Sequence, residues 1–297
     1  FTAIHTQALS TQQSEAEKAL FKLLFSSDPN NKAFDALNQS RLTGPSTEAT
    51  LALMTYELEK GQIDNARTLR SEYELVAQLS EKHLLKWAYA LEKSGQLQEA
   101  LDSLDKIKSP SREARLLELT LLMKQEKFDA VETIFKTHKN TILQAADGVA
   151  ILADLEQRRN HLTAAKQWLK RAISMSPYRA AYYVDLAKLL IATEDPDGAL
   201  ETCNEGLKLM PSSTAVLNLR GRIHYDMGNI HLAAKDWDES LTIDRLQFEI
   251  FARLMRAALE TGDRNTAVTV FRAGKETLPD DPRWADLEKL LLRKKNP

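Results

Sequence analysis

Apolar residues recur three and four positions apart through most of the chain, and short polar breaks punctuate them at regular intervals. That period places side chains on one face of an α-helix. The stretch 214–247 can be read residue by residue. Leu217, Gly221 and His224 share one face of a first predicted helix, and the missing side chain at Gly221 lets a facing helix come close. Gly228-Asn229 then breaks the pattern, glycine supplying the left-handed backbone that a tight turn needs. Leu232, Ala233, Trp237 and Leu241 return on a second helix that folds back against the first. One such hairpin cannot bury its apolar face alone, so it must stack on neighbours. The pattern predicts an all-α chain.

Three stretches, 146–179, 180–213 and 214–247, fall into register without gaps, which gives a 34-residue period. A small residue recurs at the twentieth place (Ala165, Ala199, Ala233), a larger one at the twenty-fourth (Leu169, Cys203, Trp237) and a small one at the twenty-seventh (Ala172, Gly206, Ser240). Pro177, Pro211 and Pro279 fall after the second helix, where they interrupt no internal hydrogen bond. This pattern resembles the tetratricopeptide repeat family in period and in its small and large places. The resemblance implies a right-handed α-solenoid superhelix of stacked antiparallel helix pairs. Residues 248–281 continue it with Gly262, Ala267, Phe271, Gly274 and Pro279, and 47–80 with Gly61 and Ala66. Residues 81–111 carry Ala88, Gly95 and Ala100 but are three residues short. In 112–145, Phe128, Val131 and Phe135 fit, but Glu126 stands where glycine is usual. Seven units are thus expected over 47–281. The Trp and Tyr usual in the family's first helix are mostly replaced by aliphatics.

Different ends are expected to close the array. Residues 1–46 hold a degenerate helical pair, 11–26 and 32–41, around the turn Ser27-Asp28-Pro29-Asn30. Residues 282–297 read as a capping helix, with Trp284, Leu287, Leu290 and Leu291 facing the last unit. Its Lys289, Arg293, Lys294 and Lys295 face water and complement the helix dipole.

Charge and chemistry narrow the function. The 40 Lys and Arg nearly cancel the 42 Asp and Glu, so no field of one sign attracts nucleic acid. No apolar run is long enough to span a bilayer. A single cysteine, Cys203, forms no internal disulfide, and its place in the repeat makes it a buried, inert thiol. The six histidines form no close metal-ligand pair; His224 and His231 flank one turn, but as a packing and a surface residue. Phosphate loops and nucleophile elbows are absent from the sequence. The expectation is a non-enzyme without cofactor or metal.

What remains is the groove that the resemblance implies, lined by the first helix of each unit. Its fifth place reads Leu51, Leu85, Leu116, Ala150, Val184, Asn218 and Ala252; its ninth reads Thr55, Tyr89, Thr120, Asp154, Lys188, Arg222 and Arg256. The expected partner-binding residues are Leu51, Leu85 and Tyr89 at an apolar end, and a cationic row of Lys188, Arg222 and Arg256 with Asn218, Tyr225 and Arg253 nearby. The ordinary alternative is that these cations are solvated and paired with acids such as Asp185 and Asp226. The family's carboxylate clamp for chaperone tails needs Lys at a fifth and Asn at a ninth place, and neither occurs. A protein–protein interaction scaffold is therefore expected, holding a protein or peptide segment with acidic side chains. The chain begins at Phe1 rather than Met, so a signal peptide, an anchor or another domain is expected upstream. The compartment stays open, with a bacterial envelope assembly or secretion complex preferred and a periplasmic setting favoured over a cytoplasmic one. The alternatives are a regulatory or substrate-recruiting module of a larger enzyme or signalling protein, and a solenoid that tracks an anionic polysaccharide.

Overall fold

Fifteen α-helices and no strand occur among the described residues, 47–74 and 79–292, of the computed structural model. The degenerate pair expected within 1–46 lies outside them. The chain divides into two units, one ending at Ile142 and the other beginning at Leu143.

The first unit holds α1 (Thr47–Glu59), α2 (Ile63–Glu74), α3 (Glu81–Lys93), α4 (Leu97–Leu104), α5 (Arg112–Lys124) and α6 (Phe128–Ile142). Each odd-numbered helix packs on the even one after it, and α1, α3 and α5 pack in succession. Leu84, Leu85, Trp87, Ala88 and Leu91 bury a wide face of α3. Arg67 of α2 reaches Gln96 and Glu99 at the start of α4, with its Nη2 2.5 Å from Glu99 Oε2. The three missing residues come out of the end of α4, which has eight residues and gives way to an irregular stretch before α5. Ser111 ends that stretch by capping α5, its Oγ accepting from the Ala114 N–H at 3.2 Å. The last helix, α6, leaves helical geometry at His138 (φ −122°, ψ 17°) and buries only Val131, Phe135 and Ile142.

The second unit repeats without drift. Its first helices are α7 (Ala146–Arg158), α9 (Ala180–Ala192), α11 (Thr214–Asp226) and α13 (Phe248–Glu260), 13 residues each and offset by 34. Its second helices are α8 (Leu162–Met175), α10 (Pro196–Leu209), α12 (Ile230–Ile243) and α14 (Arg264–Thr277), 14 residues each with the same offset. Successive pairs stack as in an α-solenoid. Ala165, Ala199, Ala233 and Ala267 are fully buried, because this small place is where the paired helices meet. A final helix, α15 (Trp284–Leu292), buries Trp284, Leu287 and Leu291. Trp284 meets Phe248, Phe251 and Phe271 edge-on, and its indole N–H donates to the Leu278 carbonyl at 2.7 Å.

The seven turns inside the pairs share one geometry. Each has a residue at positive φ: Gly61, Gly95, Glu126, Asn160, Glu194, Gly228 and Gly262. In each, the next N–H donates back five residues to a helix carbonyl at 2.8–3.0 Å, from Gln62 to Glu57 through Asp263 to Ala258. This helix-ending motif satisfies carbonyls that the last turn would leave unpaired. Glu126 does not break it; the glutamate adopts the left-handed conformation (φ 58°) that glycine would take.

Candidate functional site

The first helices of the second unit turn one face inward and carry charge on the other. On α11, Val216, Leu217, Gly221 and Ile223 are buried while Arg222 is exposed. Gly221 is required because a Cβ there would lie 2.6 Å from Trp237 Nε1 of α12. That indole donates to the Asn218 carbonyl at 3.3 Å. Tight packing thus fixes the rotation of α11 and with it the direction of Arg222. Lys188 on α9 and Arg256 on α13 occupy the same helical place and are exposed as well.

The three cations differ in their neighbours. Arg222 Nε donates to both oxygens of Asp226, one turn on, at 2.8 and 2.7 Å. Lys188 and Arg256 form no ion pair among the described residues, and Asp185 does not come within ion-pair distance of Lys188. Pairing with Asp226 is therefore present at Arg222, and pairing with Asp185 is not seen at Lys188. The Tyr225 hydroxyl donates to Glu260, its ring centroid lies 5.7 Å from that of Trp237, and the Glu260 bond foremost raises its pKa. Asn218 donates to Gln247 Oε1 at 2.7 Å, while its own Oδ1 is buried without a protein partner. Arg253 is half-buried.

The remaining expected residues belong to the first unit. Leu51 lies on α1. Leu85 is buried in the wide apolar face of α3, whereas Tyr89 is 38% exposed.

A polar tie under the second unit's surface joins residues that the repeat pattern does not single out. Arg220 donates to both oxygens of Asp236 at 2.8 and 2.6 Å and to Asn204 Oδ1 at 2.7 Å, joining α10, α11 and α12. Asp236 is almost wholly buried, so the pairing offsets a large desolvation cost. The signal was available: Asp236 stands beside Trp237 among the core places of α12, where a lone carboxylate needs a cation. Tyr182 O–H likewise donates to Asp147 at 2.6 Å, linking α9 back to α7. Cys203 is fully buried, and burial pushes its thiol up to about 12. Among the described residues no group of His, Cys, Asp and Glu is arranged to hold a metal, and no helix is long and apolar enough to cross a membrane.

Residues 158–223, from the end of α7 to the last turn of α11, match the family model of the tetratricopeptide repeat. Those residues carry the tetratricopeptide repeat. Among solved structures, a tetratricopeptide repeat protein from Parabacteroides merdae superposes with a TM-score of 0.64 at 15% identity, covering 83% of this chain and 99% of the other. Pseudomonas aeruginosa pilF gives 0.53 at 14% identity, over 70% and 96%. The APC/C hetero-tetramer Cut9–Hcn1 gives 0.54 at 11% identity, over 88% and 52%. At such identities the likeness is one of fold. No curated protein matches the sequence. Tetratricopeptide repeats generally serve as protein-interaction scaffolds, and the family is generally non-catalytic.

Proposed function

We propose that this tetratricopeptide repeat chain is a non-catalytic scaffold whose seven repeats over 47–281 hold a partner segment bearing acidic side chains. The observation that carries this reading is the row Lys188, Arg222 and Arg256. These are exposed cations at one place of three equal helices offset by 34 residues. An extended acidic segment meets one cation per repeat, and Tyr225, Asn218 and Arg253 offer it flanking contacts. The Arg222–Asp226 pair is no obstacle, since an exposed i,i+4 pair is worth about 0–1 kcal/mol and exchanges readily for a ligand carboxylate. In the first unit Tyr89 is exposed and offers a separate contact for the partner, whereas Leu85 is buried.

The test is partner capture followed by affinity measurement. Capture from bacterial envelope and cytoplasmic fractions tests the setting, an envelope assembly or secretion complex being the one proposed. Arg222→Glu with Arg256→Glu should weaken binding of the captured partner at least about tenfold, with helicity unchanged. Unchanged affinity at physiological salt would refute the cationic row. Binding to an anionic polysaccharide with no need for a defined peptide would favour the tracking alternative.

A further inference from the structure

Ten large apolar side chains stand exposed among the described residues, and five of them share one edge of the second unit. Met175, Leu209 and Ile243 are the last residues of α8, α10 and α12, spaced by 34 and exposed at 39%, 41% and 44%. Tyr178 and Leu246, at matching places in the loops after α8 and α12, are exposed at 73% and 71%. Equal helices on a constant offset put these side chains at equivalent points of three successive pairs. They recur in register along one edge rather than as scattered exceptions, and exposed apolar side chains aligned in this way mark a contact. At the next step the place is held by Thr277, so the strip stops after three pairs.

The strip is nearly symmetric about Leu209, with a pair of similar exposure at either end. Its flanking charge is not symmetric. Lys170 and Arg171 are exposed on α8; at the corresponding places of α12 stand Asp238 and Glu239, also exposed. Glu205 and Lys208 on α10 roughly cancel. One end of the strip is therefore basic, the other acidic and the middle balanced. A second strip laid alongside in the same direction would set like charges together, and one laid antiparallel would set opposite charges together. A patch that is self-complementary under a half-turn is what a two-fold contact between identical chains requires.

We propose that this edge is an interface with a second copy of the same chain, the two strips antiparallel about Leu209. This contact is independent of the cationic row on the first helices. Sedimentation equilibrium of the whole chain should show a monomer–dimer equilibrium with a dissociation constant on the order of micromolar. Leu209→Asp should weaken it at least about tenfold, because it sets two carboxylates against each other at the centre. Reversing the basic end alone (Lys170→Glu with Arg171→Glu) should weaken it. Reversing the acidic end as well (Asp238→Lys with Glu239→Lys) should restore it. All these residues are exposed, and circular dichroism checks that each variant keeps its helices. A chain that stays monomeric at all concentrations overturns the proposal, including one whose strip binds phosphatidylcholine vesicles instead. So does a quadruple reversal that fails to recover the dimer.

Discussion

The stretch from α4 to α6 and the stretch from α7 to α12 are built from the same helical hairpin, yet only the second repeats it faithfully. From α7 onward, helices of 13 and 14 residues alternate on a fixed offset, and each second helix buries a small residue near its start. From α4 to α6 the second helices have 8 and 15 residues, and the longer one departs from helical geometry at His138. Both stretches keep the turn with a left-handed residue, at Gly95 and Glu126 as at Glu194 and Gly228. The first helix and its turn are thus the invariant part of the repeat. The tail of the second helix is the part that gives when residues are lost, because it is the element farthest from the turn that pins the pair.

If that contrast reflects stability, amide exchange shows it most strongly. We predict protection lower by at least about tenfold across 105–142 than across 180–245, because the irregular stretch before α5 and the break at His138 interrupt the helical hydrogen bonds there. Equal protection in the two stretches would mean that the missing residues cost nothing.

A sharper probe attacks the well-packed stretch. Gly221→Ala pushes a methyl group against Trp237, and in a close-packed site such overpacking costs about 1–3 kcal/mol. Trp237→Leu, which costs stability by itself, should make the added methyl nearly harmless. A double-mutant cycle by chemical denaturation measures this; simple additivity would show that the ring is not what makes glycine necessary at 221.

The smallest expected effect concerns the turns. Glu194→Gly should stabilise by about 0.5–1 kcal/mol, since the glutamate occupies a left-handed conformation that glycine adopts without strain. Glu126→Gly should gain less, because Glu126 also makes an interaction that the substitution removes. Thermal melts of the two variants compare the regions directly, and a loss of stability at 194 would contradict the account of the turn.

Much of this fold was legible in the sequence because its marks are local. Pro, Gly and the alternation of small and large residues fixed the register, and first helices begin at 47, 81, 112, 146, 180, 214 and 248. What stayed hidden depends on the neighbouring pair. The seventh place of the first helix holds Trp87, Leu186 and Arg220 in different pairs, and only the packed structure shows that Arg220 answers Asp236. Leu85 looked available to a ligand because its place faces a groove in the family. Here α3 packs against α1, α4 and α5 and takes that side chain into the interior. The same limit applies to the cations: spacing aligned Lys188, Arg222 and Arg256, but which of them an acid already occupies depends on rotamers.

The constant offset of the second unit also makes its length adjustable. Residue 179 precedes the start of α9 as residue 213 precedes the start of α11, so excising 180–213 joins two ends that already match in conformation. Duplicating that block inserts a pair that fits both its neighbours. Copying or deletion in whole blocks therefore lengthens or shortens the contact surface in fixed steps, without a new fold at each step. A gain or loss of three residues, like the one that truncates α4, shifts every downstream side chain and must be absorbed at a helix end. Whole-block changes carry no such burden, so this half of the molecule is the part in which the number of helix pairs is freest to change.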